Sequence, residues 1–337
     1  TMLTNEDSMG KFYFFATARY NGNQSAYAAN YGQLPFTYAP PEGYLPLSVE
    51  NLHVAEGSMQ PEKYHGAITW EGNDGTSKSI PGLGFKPDLV WIKQYAGGSQ
   101  NHLVYDSIRG TDKYIKADEN ASESTNATFL TSMDDDGITV GDQDVTNASG
   151  ESHIAWCWKG GGSSGTFNVD GTGYSTAAAA GMSGGTITAT GCSVNKKSGF
   201  SIVTYNGTGS SGDIPHGLDD APKFILIKAL TGTHSWAVYH KAIGSGQQIL
   251  LNSTNITPNA DAHGFDAVPD STVVHVGSGA MMDTNQSGGH VMYSWAEVPG
   301  ISKFGSYHGT GDADGPFINC GFKPHLIMIK GWKSDDG

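Results

Sequence analysis

Cysteine is almost absent from this chain: Cys157, Cys192 and Cys320 are the only three in 337 residues. An odd number at no metal-ligand spacing writes neither a secreted disulfide framework nor a zinc knuckle. Positive charge is scarce as well. Lysine and arginine total 19 against 33 aspartate and glutamate, a net charge of -14, which opposes broad contact with a phosphate backbone and argues against nucleic acid as a partner. No run approaches the roughly 18 consecutive apolar residues of a spanning helix, so no membrane insertion of that kind is expected. Charged residues of both signs make up only 15%, and no segment carries the apolar period of an amphipathic helix.

Glycine is abundant instead, with 47 residues, about twice the ordinary share of about 7%. The chain also repeats itself. Trp70-Glu71-Gly72 leads to Pro87-Asp88-Leu89-Val90-Trp91-Ile92-Lys93, and Tyr205-Asn206-Gly207 leads to Pro222-Lys223-Phe224-Ile225-Leu226-Ile227-Lys228. A third window runs from Tyr307-His308-Gly309 to Pro324-His325-Leu326-Ile327-Met328-Ile329-Lys330. In all three the aromatic residue stands 23 positions before the lysine, the glycine 21 and the proline 6. In the first two units Val104-Tyr105 matches Val238-Tyr239. Likewise His153-Ile154-Ala155-Trp156-Cys157-Trp158 matches His290-Val291-Met292-Tyr293-Ser294-Trp295. Pro87, Pro222, Pro324, Lys93, Lys228, Lys330, Trp158 and Trp295 mark the repeat.

The strand ahead of each lysine is apolar on both faces, with Val90 and Ile92 opposite Leu89 and Trp91 in the first unit. Such a strand belongs in the middle of a buried sheet. Short strands between turns rich in Gly, Asn, Asp and Ser predict an all-β fold with little or no helix. The expected architecture is a tandem of antiparallel β-sandwiches, concanavalin/SPRY-like or jelly-roll-like. Ala177-Ala178-Ala179-Ala180 has helix propensity but no period and sits among glycines, which predicts loop or edge strand. Residues 63–160 are expected to be the first sandwich, 161–198 a Gly/Ser/Thr-rich connector with a strand at 186–190, and 199–300 the second sandwich. Residues 301–337 start a third. Separate sandwiches of this kind are expected to melt separately.

Two resemblances cover most of the chain. Tyr31-Gly32-Gln33-Leu34-Pro35-Phe36 followed by Pro40-Pro41-Glu42-Gly43-Tyr44 resembles the C-terminal end of a SPRY-type β-sandwich over residues 1–48, with 49–62 as linker. The remainder of such a domain is not in the sequence and the chain opens on Thr1, so a segment of a longer polypeptide is expected. Residues 63–337 resemble an uncharacterised repeat family of tailed-bacteriophage virion proteins. This rests on Gly82-Leu83-Gly84-Phe85-Lys86-Pro87, Tyr105-Asp106-Ser107-Ile108-Arg109-Gly110, Trp236-Ala237-Val238-Tyr239-His240 and Lys303-Phe304-Gly305-Ser306-Tyr307. The resemblance implies a virion-exterior protein with other virion proteins as partners and a homo-oligomeric state, commonly a trimer. It brings no activity with it.

Motifs of chemistry are present only as fragments. Gly161-Gly162-Ser163-Ser164-Gly165 and Gly181-Met182-Ser183-Gly184-Gly185 match the nucleophile-elbow pattern, but no helix is written after either, so composition explains them. Gly207-Thr208-Gly209-Ser210-Ser211-Gly212 matches a dinucleotide pattern and is followed by Asp213-Ile214-Pro215 where a helix should start, which predicts a turn. Asp312-Ala313-Asp314-Gly315 and Asp134-Asp135-Asp136-Gly137 place carboxylates on tight turns, as calcium sites do. Neither supplies the remaining oxygens, and Asp-Gly is also a plain turn signal. Asp312 and Asp314 are therefore the metal candidates, with no other cofactor expected. His153 and His290 hold one repeat position and read as structural. Aromatics stack on sugar rings when exposed, which makes Trp332 and Trp236 the glycan candidates, whereas Trp91, Trp158 and Trp295 sit on core strands. The repeated lysines either share a role at a domain edge or snorkel from the strand end into water.

The expected function is that of a non-enzymatic bacteriophage structural protein on the virion exterior. A tail fibre meeting host surface polysaccharide is the first reading, a capsid-decorating or neck-attached spacer the second, and a capsule-degrading enzyme the third.

Overall fold

Period-two alternation of apolar residues builds the first repeat from β1 (His65–Glu71), β2 (Lys78–Pro81), β3 (Leu89–Ala96), β4 (Leu103–Asp106) and β5 (Gly110–Lys116). It continues with β6 (Ser124–Thr125), β7 (Leu130–Asp134), β8 (Gly137–Val140), one helical turn α1 (Asp144–Asn147) and β9 (Ser152–Trp158). The second part comprises β10 (Phe167–Val169), β11 (Thr172–Tyr174), β12 (Ala189–Asn195), β13 (Phe200–Gly207) and β14 (Gly212–Pro215). After these come β15 (Phe224–Ala229), β16 (Ala237–His240), β17 (Ile249–Leu250), β18 (Val273–Val276) and β19 (Gly288–Trp295). This computed structural model describes residues 60–254, 264–278 and 283–332. The SPRY-like segment 1–48 and the linker up to residue 59 lie outside the described residues.

The repetition of spacing is a repetition of topology. One sheet runs β1-β9-β3-β4-β5-β6 and another β11-β10-β12-β13-β19-β15-β16-β17, so β1-β9-β3-β4-β5 is reproduced by β13-β19-β15-β16-β17. The small sheets correspond too, β2-β8-β7 with β14-β18. The fold is nearly all β, as expected. Ala177–Ala180 are a turn, with the Met182 N–H donating to the Ala177 carbonyl. The Gly/Ser-rich segment holds more structure than a connector, since β10, β11 and β12 extend the larger sheet, β12 pairing with β13. Its strand starts at Ala189 rather than Thr186, because the Ile187 N–H is taken by the Asp213 carbonyl and its side chain turns into the core.

Three cores separate four β layers. Ile80, Leu130, Ile138 and Val140 of the three-stranded sheet pack on Ile68, Val90, Ile92 and Tyr105 of the six-stranded one. Ile214, Val274 and Val276 pack on Val203, Ile225, Ile227 and Met292 of the eight-stranded sheet. Between the two large sheets lies a third core, in which Leu89, Val104 and Ile115 meet Phe200, Leu226, Trp236, Val291, Tyr293 and Trp295. The two-sided strands thus face their own small sheet with Val90 and Ile92, or Ile225 and Ile227, and the other repeat with Leu89 or Leu226. The expectation of separately melting sandwiches gives way here: an apolar outer face is covered by its sibling, and the repeats share a core.

The third window holds no strand. Ile327 is 67% exposed where the corresponding Val90 and Ile225 are 0%. No strand of the β9 or β19 kind pairs with it among the described residues. It is held by Phe304, whose ring stacks on Phe224 at 5.7 Å, and by the half-buried Trp332 against the shared core.

Candidate functional site

Each repeat carries the same polar corner where its first strand ends. In the first, Trp70 lies flat on His153 at 5.4 Å and its Nε1–H donates to the Thr146 carbonyl at 2.9 Å. In the second, Tyr205 lies flat on His290 at 5.0 Å and its hydroxyl donates to the Thr284 carbonyl. The next residue along is asparagine in both. The Asn147 side-chain oxygen accepts the Asn73 N–H and that of Asn285 accepts the Thr208 N–H. The marker glycine follows from this. A Cβ on Gly72 would stand 1.9 Å from the Ala148 carbonyl oxygen and one on Gly207 1.8 Å from that of Gln286, so only glycine lets the Thr-Asn loop close over the strand. At Gly309, in the unstranded third window, nothing lies within 4 Å.

Both histidines are buried, and burial holds His290 down to about 4, so they are neutral members of the corner rather than ligands. Sequence reasoning found the histidines and missed Thr146-Asn147 and Thr284-Asn285. The signal was present as a Thr-Asn pair shortly before each histidine strand.

The repeated lysines turn back onto backbone carbonyls, Lys228 fully buried and Lys93 and Lys330 half-buried. Lys228 is fully buried and donates to the carbonyls of His234 at 2.8 Å and Ala229 at 3.1 Å, and burial lowers it to about 8 although Asp283 opposes the shift. Lys93 donates likewise to the Gln100 carbonyl and Lys330 to the Ser253 carbonyl. The repeated role is to tie down a backbone carbonyl, which for Lys93 and Lys228 belongs to the loop following the strand.

Trp236 is no sugar platform. It is 1% exposed, stacks on Tyr293 at 6.3 Å, and gives its Nε1–H to the Lys116 carbonyl of the other repeat at 2.7 Å. Burial between the sheets is the physical reason for this correction. Trp332 is half-buried rather than exposed. Trp158 and Trp295, the paired markers, meet edge to face at 5.9 Å across the shared core. Asp312 and Asp314 are exposed in the unstranded segment, and no group of three His, Cys, Asp or Glu able to hold a metal forms among the described residues. Asp134-Asp135-Asp136 is the β7–β8 turn, where the Asp136 carboxylate accepts the Gly84 N–H at 2.6 Å. In the serine-glycine matches Met182 is buried in a core and no helix follows either.

Among the described residues polar groups gather in two shallow clefts, one of about 470 Å3 lined by Lys241, Glu297, Lys303 and Cys320 among others, and one of about 260 Å3 lined by Thr186, Ser211, Asp213, Asp266 and His275. There the His275 Nδ1 lies 2.7 Å from Asp213 and its Nε2 3.8 Å from Asp270. Both imidazole nitrogens face carboxylates, and neither the Ser211 nor the Thr186 hydroxyl is bonded to it, so no activated nucleophile results.

A cluster with no counterpart in the repeat pattern bridges the two sheets. Arg109, buried, sets its Nε 2.6 Å from Asp106 and its Nη1 3.1 Å from Glu123. The Tyr293 hydroxyl of the second repeat donates to Asp106 at 2.7 Å and lies 3.2 Å from Arg109 Nη2. Burial alone would lower Arg109, but Asp106, Tyr293 and Glu123 outweigh it and hold the guanidinium charged.

Residues 60–336 match the family model described as a domain of unknown function, DUF7483. The chain belongs to the DUF7483 family. No curated protein and no solved structure matches. The DUF7483 match spans both repeats and the third window, and names neither a virion nor a SPRY-type domain. The geometry gives this DUF7483 chain two like units, each closed by a Thr-Asn corner and joined by an aromatic core with one buried charged cluster.

Proposed function

We propose that the chain is a non-enzymatic structural protein of a bacteriophage virion, an exterior appendage in which the repeats within the DUF7483 domain act as spacers and assembly interfaces. The observation that carries this reading is the use of the aromatic residues. Trp158, Trp236 and Trp295 cement repeat to repeat instead of lining a groove, and the apolar side chains left outside, Phe317, Ile327 and Ile329 among them, concentrate in the third window, as suits contact with further protein. The virion setting rests on the sequence resemblance. Immunogold electron microscopy of purified particles, with antibody against residues 60–332, tests it. Gold on the particle exterior is expected, and particles free of both label and the chain's peptides by mass spectrometry would overturn it.

A receptor-contacting fibre is the second reading, favoured by Trp91 and Trp156. These half-buried side chains stand edge to face at 6.4 Å, with Trp91 packed against the shared core, and their part-exposed rings are of the kind on which sugar rings stack. Purified protein that blocks phage adsorption in proportion to its dose would raise this reading above the first.

A further inference from the structure

The two large sheets do not cover each other equally. In the second repeat Ile202, Leu226, Trp236 and Tyr293 are at most 2% exposed. The matching positions of the first repeat are Ala67, Trp91, His102 and Trp156, of which Ala67 is exposed and the rest are half-buried. The chemistry changes with the exposure. Isoleucine and leucine give way to alanine and tryptophan, and the buried tryptophan to histidine. A face meant to pack on a further repeat would keep its aliphatic residues, so a second copy of the chain is the poorer fit here.

These residues lie side by side. Ala67 pairs with Trp156 and Trp156 with Trp91 across β1, β9 and β3, and His102 stands just before β4, the next strand. Trp91 is flanked by rings nearly perpendicular to it, Trp156 at 85° and 6.4 Å and His102 at 81° and 6.0 Å. Its Nε1–H donates to His102 Nδ1 at 3.0 Å. An indole nitrogen only donates, so Nδ1 is an acceptor and the imidazole is neutral, with its proton on Nε2 as a second donor. Burial, and then the charge of Lys93, lower His102 and keep it neutral. The rim is fixed as well: Asp118 accepts the His102 backbone N–H at 3.1 Å, and Asn101 donates to Glu119 at 2.7 Å. Aromatic walls with a few oriented polar groups are the make-up of a small-ligand site. The C–H face of a pyranose packs on an indole, and the hydroxyls at its edge need the donors and acceptors that His102, Asn101 and Asp118 supply. Asp118 and Glu119, in a chain of net charge -14, disfavour an acidic sugar.

We propose that the Trp91–Trp156–His102 corner binds a neutral pyranose unit of a polysaccharide, the sugar stacked on the indoles and its hydroxyls bonded by His102 Nε2 and the Asn101–Asp118 rim. The inference rests on the second reading of function, whose aromatic surface it turns into a site with a ligand class, and not on the virion setting.

The test titrates the full chain with the hexasaccharides of glucose, mannose and N-acetylglucosamine, read by tryptophan fluorescence and by NMR saturation transfer from protein to sugar. Saturable binding of at least one is expected. Trp156→Ala should weaken it about tenfold, as truncation of a central aromatic contact does. Phe317→Ala, at an exposed ring in the third window, should leave it unchanged. If Trp156→Ala fails to fold, Asn101→Ala on the rim takes its place and should weaken binding while the fluorescence change persists. No saturable binding of any of the three sugars, or equal loss from Phe317→Ala, would overturn the proposal. So would a self-association of wild type, seen in sedimentation, that Trp156→Ala abolishes, since a second copy would then be the occupant. Sugar binding without blocked phage adsorption would keep the site and remove the receptor role, whereas blocked adsorption without sugar binding would do the reverse.

Discussion

Leu226→Ala separates a shared core from two independent sandwiches. Leu226 lies on the outer face of β15, the side turned away from its own small sheet, and is 2% exposed because the first repeat covers it. Were the second sandwich to stand alone, this side chain would be a surface residue and its truncation would cost less than about 0.5 kcal/mol. Within the aromatic core the cost is that of a buried leucine, lost transfer energy plus a cavity that Trp236 and Tyr293 cannot collapse to fill. That is about 3 kcal/mol. At roughly 2–4 °C per kcal/mol for a body of this size, the melting temperature should fall by roughly 6–12 °C. Met328→Ala is the internal control, since Met328 holds the same repeat position in the third window and is 47% exposed. It should shift the melt by no more than about 2 °C. Thermal unfolding followed by tryptophan fluorescence, with circular dichroism alongside, reads both. Equal small effects from the two substitutions would refute the shared core.

Acid should loosen the corners. His290 titrates near 4 when folded and near 6.5 when free, so between those values the unfolded chain binds more protons and stability falls as pH drops from about 6.5 to 4. The difference corresponds to at most about 3 kcal/mol. His290→Phe, which keeps a ring against Tyr205, should flatten this part of a urea-midpoint pH profile, and an unchanged slope would count against a neutral buried histidine. The thiols offer a simpler check. Cys157 and Cys192 are buried, and burial raises both, Cys192 to about 11, while Cys320 is partly exposed. One thiol per chain should react promptly with Ellman's reagent in native buffer and all three in denaturant; prompt reaction of more than one would contradict the core assignments.

Legibility in the sequence followed the range of the interactions. The β3 and β15 strands were readable because two-sided apolarity is local, and the repeated spacing of Trp70, Gly72 and Lys93 with Tyr205, Gly207 and Lys228 carried the topology over intact. What covers the outer face was not readable. Leu89 and Leu226 announce burial without naming the surface that buries them, and the sibling repeat lies more than a hundred residues away in sequence. Trp236 drew a sugar-binding reading for the same reason, its partner being a backbone carbonyl at Lys116. Lys228 looked like a strand-end residue reaching for water because no sequence pattern predicts that the carbonyls of Ala229 and His234 converge on its ammonium. The strands β10 to β12 hid in glycine and serine, whose strand propensity is low, and they form because β13 offers an edge to pair with.

Hydrogen exchange resolved to individual strands, compared between wild type and Ile227→Asp, tests the central claim most directly. The substitution puts an unpaired charge into the core beneath β15. With a shared core, β3 and β9 of the first repeat should lose protection together with β15 and β19. Wild-type protection of β3 and β9 in the variant, with loss confined to the second repeat, would contradict the account and restore two independent sandwiches.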